Sequence, residues 1–255
     1  MTQKEKRLYL IKYLLSERGE RIVLPENEEE QKRLLRALFN IRPPKEASEE
    51  FLNIQNSYLK EETKQKGIVR TDGLSPVCGG MYLFSGDITT LDCDVIVNAG
   101  NPALLGCFCP NHGCVDNAIH TFAGVELRLY CDGIMRGGTA KTGGAVITPA
   151  FCLPSKYIVH TVGPVVRGRV TEKDAKALEN CYISCLSAAE SVGAESIAFC
   201  CISTGEYGFP NGRAAEIAVG TVEKFSKIKK VIFDVFKEKD RILYERELAK
   251  IKGKT

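Results

Sequence analysis

Three nearly unbroken apolar runs constrain this chain more than any other feature: "DVIVNAG" (94–100), "SIAFCCIS" (196–203) and "KKVIFDVF" (229–236). A strand with one wet face alternates apolar and polar side chains. These runs do not alternate, so both faces of the sheet they form must be covered by helices. Strands are predicted over Met81–Phe84, Val95–Asn98, Ala145–Thr148, Tyr157–Thr161, Ser196–Cys200 and Val231–Phe236. Helical stretches are predicted between and after them, over Val115–Met135, Lys173–Val192, Asn211–Lys227 and Asp240–Ile251. That alternation predicts a three-layer α/β/α fold with a mostly parallel or mixed central sheet. Ligands of such sheets bind at the carboxyl ends of the strands.

Before residue 67 the pattern differs. Helical periodicity appears in Leu8, Ile11, Leu14 and Leu15, then Leu34, Leu35, Leu38 and Phe39, then Phe51, Ile54, Tyr58 and Leu59. Gly19 and Pro43-Pro44 separate these stretches, and Ser48 followed by Glu49 and Glu50 reads as a helix N-cap and first turn. Residues 1–66 are therefore read as a helical N-terminal extension and 67–255 as the α/β domain. Helices this short seldom stand alone, so the extension should pack onto the α/β domain. A lid or a partner-docking surface is its expected role.

A chain of 255 residues, 44% apolar, needs neither metal nor disulfide merely to fold. A net charge of +3 argues against a nucleic-acid or membrane partner. No apolar run is long enough to span a bilayer, and the charged start MTQKEKRLYLIKYLLSERGE lacks a secretory cleavage site. Eleven cysteines scattered through apolar segments read as reduced cytosolic thiols, so a cytoplasmic location is expected. The chain is also expected to be a monomer.

Four strand-to-loop junctions carry chemistry. In "FSGDITT", Asp87 with the Ile88 N–H could pair with a purine edge, or Asp87 could simply cap the next turn. In "VNAGN", Asn98 and Asn101 have amides able to donate to and accept from a ribose diol, although asparagine is commonplace in turns. In "CISTGEYGFPNG", Ser203, Thr204, Gly205, Glu206, Tyr207, Gly208 and Phe209 run towards a helix near Asn211. Small residues there suit a nest of N–H groups for phosphate, with Tyr207 and Phe209 flanking it; a generic glycine turn is the alternative. No P-loop or dinucleotide fingerprint is present.

The fourth junction, "GCFCPNHGCVDNAIH", sets Cys107, His112 and Cys114 at C-x4-H-x-C spacing. Thiolate and imidazole are ligands that zinc prefers, and three of them leave a catalytic position open. Cys109 is a strained candidate for a fourth ligand, and buried or redox-active thiols are the alternatives. Asp116 falls in the first turn of the next helix and could act as a base or orient water. His120 and His160 read as structural histidines.

In order, "SGDITTLDCDVIVNAGN", "VDNAIHTFAG", "TGGAVITPAFCLPSKYIVHTVGP", "SIAFCCISTGEYGFPNGRAAEIA" and "KKVIFDVFKEKD" resemble the macrodomain family of ADP-ribose-binding modules. The insertion "GCFCPNHGC" and the extension text "LLRALFNIRPP" and "FLNIQNSYLKEE" resemble the zinc-dependent branch of that family, the protein-ADP-ribose hydrolases. The resemblance implies a zinc-dependent hydrolase that removes mono-ADP-ribose from modified proteins at C1″ of the distal ribose. It also implies roles. Asp87 and Ile88 would bind adenine, Asn101 the distal ribose with Asn98 in support, and Ser203 through Phe209 the diphosphate. Asp116 and Asn101 would be the catalytic residues. Cys107, His112 and Cys114 would hold Zn2+ beside the distal ribose, with Asp116 in the family's acidic position and Phe236 packing on adenine. Competing readings of the same pocket are a non-catalytic ADP-ribose reader, favoured by a closed four-ligand site, and an O-acetyl-ADP-ribose deacetylase.

Overall fold

The computed structural model describes residues 1–253. Three helices come first: α1 (Gln3–Glu17), α2 (Glu28–Ile41) and α3 (Glu49–Lys66). Each begins where a side chain accepts from first-turn N–H groups. Thr2 accepts from Glu5 while the Glu5 carboxylate accepts from Thr2, Asn27 accepts from Glu29 and Glu30, and Ser48 accepts from Phe51. The helices bury Leu10, Ile11, Leu35, Phe51 and Leu59 in a cluster that also takes in Val125 and Cys152 from further along the chain. The extension thus shares a core with the rest of the molecule.

After the helices come β1 (Val69–Arg70), β2 (Pro76–Cys78), β3 (Met81–Phe84), β4 (Leu91–Asp92) and β5 (Val95–Ala99). Next are α4 (Val115–Ala123), α5 (Val125–Met135), β6 (Ala145–Pro149), β7 (Tyr157–Thr161) and α6 (Glu172–Ser191). The chain closes with β8 (Ser196–Phe199), α7 (Asn211–Phe225), β9 (Lys230–Asp234) and α8 (Glu238–Lys252). Seven strands form one mixed sheet in the order β2-β3-β9-β8-β5-β7-β6. The five inner strands are parallel, and β2 and β6 run antiparallel at the edges.

The three-layer α/β/α expectation holds. Val95, Ile96, Val97, Ile197 and Ile232 are all buried, so neighbouring positions on both faces are dry, as the unbroken apolar runs require. Each such side chain contributes about 1.5–3 kcal/mol of burial. Helices α6, α7 and α8 pack side by side as one outer layer, while α4 and α5 cover β5 and β6 with α2 and α3 behind α4.

Some boundaries differ from expectation. Val115–Met135 is two helices rather than one, because Gly124 turns the chain at φ +92°. A Cβ at position 124 would lie 2.6 Å from the Gln55 amide nitrogen, and Gln55 Oε1 accepts the Val125 N–H at 2.9 Å. A contact from α3 therefore breaks a helix that local periodicity would continue. Strand β9 stops at Asp234, which leaves Phe236 in the turn beyond it. The two- and three-residue strands β1, β2 and β4 have too few positions to show a period. All eleven cysteines are free thiols. No helix among the described residues is long and apolar enough to cross a membrane.

Candidate active site

Five parallel strands deliver the loops after β3, β9, β8, β5 and β7 to one edge of the sheet, and every predicted site motif lies in or beside them. The floor is a buried polar chain. Asn98, on β5 opposite His160 on β7, gives one amide hydrogen to Asp116 Oδ1 at 2.8 Å and the other to His160 Nδ1 at 3.1 Å. An NH2 group only donates, so His160 Nδ1 accepts and Nε2 carries the proton towards Thr148 Oγ1, 3.0 Å away. Burial holds the His160 pKa down to about 4 and puts that of His120 well below the usual imidazole value. Both are structural histidines. Asn98 Oδ1 is buried without a partner, an acceptor left open at a strand end. Burial raises the Asp116 carboxyl to about 6, against the opposing pull of the Asn98 hydrogen bond and of Arg128.

The loop from β5 to α4 carries the thiols. Asn101 was expected to contact a ribose with Asn98 in support, but its amide is spent on its own loop: Nδ2 donates to the Gly106 carbonyl and Oδ1 accepts from Ala103 N–H. Gly106 is required there, since a Cβ would sit 2.6 Å from the His120 ring. Cys107, His112 and Cys114 come together, with one ligand atom from each lying within 4.8 Å of the others. Cys107 Sγ and His112 Nδ1 are 3.6 Å apart. Bonds of about 2.3 Å to sulfur and about 2.05 Å to nitrogen at a tetrahedral angle put those two atoms about 3.6 Å apart, so the pair fits zinc. Cys114 is also the N-cap of α4, its sulfur accepting from Asn117 N–H. Burial pushes the Cys114 thiol up, so a cation must displace its proton to bind. Cys109 is exposed and stands outside the cluster, which therefore gathers three candidate ligands.

The loop after β8 lies against this one. His112 Nε2 is 3.7 Å from Glu206 Oε1, and the Tyr207 hydroxyl reaches the Gly100 carbonyl at 3.5 Å. Thr204, Gly208 and Phe209 spend their N–H groups on Cys201, Gly205 and Ser203 carbonyls, which closes the loop into a cradle. The consecutive N–H groups of Gly205, Glu206 and Tyr207 have no backbone acceptor among the described residues, so they remain available for an anion. Ser203 holds φ +65°, and its hydroxyl is buried without a partner. The expectation that Phe209 flanks a ligand is corrected. Its ring is 1% exposed and packs in the core.

At the other end, Asp87 caps the 3-10 turn Ile88–Thr90: Oδ1 accepts from both the N–H and the hydroxyl of Thr89. Lys66 at the end of α3 reaches Oδ2 at 2.9 Å. Burial opposes ionisation of Asp87, yet these partners together hold it below the usual carboxylate range. Ile88 is buried, and Phe236 is 79% exposed two residues beyond the end of β9.

Four contributors escaped the sequence reading. Gly163, inside "HTVGP", lies where any Cβ would be 1.9 Å from Ser203 Oγ. Asp234 is buried with Oδ1 unpartnered, and burial, then the charge of Asp87, raises its carboxyl well above normal. Arg36 and Asn40 reach the thiol loop from α2. Only Gly163 carried a local signal, a glycine between a strand and a proline.

Residues 97–218 match the Macro domain family. Over 261 residues the chain is 52% identical to a protein-ADP-ribose hydrolase of Treponema medium, covering 98% of this chain and 100% of that one. It is 44% identical to a protein-ADP-ribose hydrolase of Staphylococcus aureus, covering 93% and 92% respectively. A solved Trypanosoma brucei macrodomain in complex with ADP-ribose superposes with a TM-score of 0.64 at 31% identity, covering 82% of this chain and 94% of that one. The chain belongs to the macro domain family. Its homologues there include protein-ADP-ribose hydrolases.

Proposed function

We propose that this chain is a zinc-dependent hydrolase that releases mono-ADP-ribose from modified proteins by cleaving the bond at C1″ of the distal ribose. The observation that carries the reading is the three-ligand cluster of Cys107, His112 and Cys114, set against the phosphate-binding loop through His112 and Glu206. Relatives that are protein-ADP-ribose hydrolases support the substrate class.

Asp87 and the Ile88 N–H would take the adenine edge, with Phe236 covering the base. The open N–H groups of Gly205, Glu206 and Tyr207 would hold the diphosphate, Tyr207 closing over it while Ser203, Thr204, Gly208 and Phe209 shape the turn. Asn98 Oδ1, the unpartnered acceptor, suits a hydroxyl of the distal ribose, and Asn101 holds the adjoining loop. Such anchoring orients the scissile carbon, and orientation alone can remove several kcal/mol of barrier. Cys107, His112 and Cys114 would hold zinc through two thiolates and one imidazole, and the ion would then supply a formally neutral, weak Lewis acid beside the distal ribose. Asp116 Oδ1 is committed to Asn98, so Oδ2 would orient the attacking water and accept its proton. The new C1″–O bond would form as the C1″–acceptor bond breaks, its electron pair leaving with the protein side chain. A reader with a closed structural metal would need Cys109 as fourth ligand, and the exposure of Cys109 outside the cluster speaks for the open site.

The test separates binding from turnover. Cys107→Ala and Cys114→Ala should abolish release of ADP-ribose from a mono-ADP-ribosylated protein while calorimetry shows free ADP-ribose still binding. Lost binding with turnover per bound complex unchanged contradicts the reading.

A further inference from the structure

Helix α2 of the extension grips the thiol loop through two polar side chains. Arg36 Nε and Nη2 donate to Asn117 Oδ1 at 3.1 and 2.8 Å, and Nη2 also reaches the His112 carbonyl at 3.0 Å. Asn117 passes the contact on. Its Nδ2 donates to the Cys109 and Cys107 carbonyls at 3.0 and 3.5 Å, and its N–H meets Cys114 Sγ. Four residues along α2, Asn40 Oδ1 accepts the Asn111 N–H at 2.9 Å, while its Nδ2 holds the Thr121 hydroxyl, which bonds the Asn117 carbonyl. Every member of the Cys107–His112–Cys114 cluster is therefore one or two hydrogen bonds from α2. The segment 106–114 has no regular structure of its own, and Asn111 sits at φ +56°. Left untied, such a segment would lose backbone entropy each time its three ligands gathered.

We propose that Arg36 and Asn40 are positioning residues of the metal site, so that the helical extension is the scaffold that preassembles the three ligands rather than a lid or a docking surface. The inference rests on the zinc reading above. Partners one shell out from a metal typically change its affinity about tenfold to a hundredfold when removed.

The experiment uses the full chain and measures zinc affinity by competition with a chromophoric chelator. Arg36→Ala and Asn40→Ala should each weaken zinc binding about tenfold or more. Leu10→Ala, which opens the extension's own core without touching the loop, should lower thermal stability but keep wild-type zinc affinity. Should Arg36→Ala not fold, Arg36→Lys keeps the charge but loses the planar fork that serves Asn117 and His112 together, and it should still weaken zinc severalfold. Wild-type zinc affinity in the Arg36 and Asn40 variants overturns the inference. So does an equal loss in Leu10→Ala, since general loosening would then explain everything. A wild-type chain that takes up no zinc overturns the zinc reading itself and this inference with it.

Discussion

Protonating His160 would disturb the floor of the site, and its cost follows from the surrounding hydrogen bonds. Nδ1 accepts from an Asn98 amide that can only donate, and Nε2 already points its hydrogen at Thr148. A second ring proton would face another donor inside a dry core. Burial therefore holds the folded pKa to about 4, against 6.5 for an ordinary imidazole. The unfolded chain binds a proton as the pH falls through 6.5, whereas the folded chain does not until about 4. The stability due to the neutral ring is full above pH 6.5 and is lost as the medium acidifies. The difference between 6.5 and about 4, at about 1.4 kcal/mol per pH unit, sets a ceiling of about 3.5 kcal/mol, with about 2.5 kcal/mol already lost at pH 4.5. His160→Gln keeps a donor and an acceptor but cannot titrate. Urea unfolding of both proteins at pH 7 and pH 4.5 should show the wild type losing about 2.5 kcal/mol more than the variant. Equal acid losses in the two proteins refute the buried neutral ring and, with it, the assigned orientation of Asn98.

Gly163→Ala places a methyl 1.9 Å from Ser203 Oγ and must displace the phosphate loop, so ADP-ribose affinity by calorimetry should fall at least about tenfold with zinc content unchanged. Asp87→Ala removes a charged acceptor from the adenine end and should weaken ADP-ribose binding by about 1–3 kcal/mol while turnover per bound complex persists. Asp234→Asn should raise the melting temperature at pH 7. The folded carboxyl titrates above its unfolded value of 3.8, so ionisation costs stability as the pH rises, and the gain should vanish below pH 3.8.

The central strands were legible because burial on both faces leaves a continuous apolar signature, and β3 and β7 keep their predicted ends. The C-x4-H-x-C spacing likewise picked out Cys107, His112 and Cys114, although the ties from α2 and Asn117 that hold their loop in place are not legible in it. What escaped depends on partners distant in sequence. Gln55 reaches across 70 residues to Val125 at the break between α4 and α5. Arg36 lies 76 residues from the carbonyl it holds, and nothing within α2 advertises that arginine over its neighbours. Phe209 misled for the opposite reason: an aromatic in a glycine-rich loop suggests a ligand wall, but the loop folds back and the ring fills the core. Asn98 was seen as a polar residue at a strand end, but its two donors acquire meaning only from the register that sets it opposite His160.

Whether hydrolysis depends on one zinc ion held by Cys107, His112 and Cys114 is decided by elemental analysis of the purified chain. It is paired with a mono-ADP-ribosyl hydrolysis assay before chelation, after it and after zinc is restored. One zinc per chain, with activity lost on chelation and regained with zinc, is the predicted result. Full activity from a preparation free of zinc would contradict it.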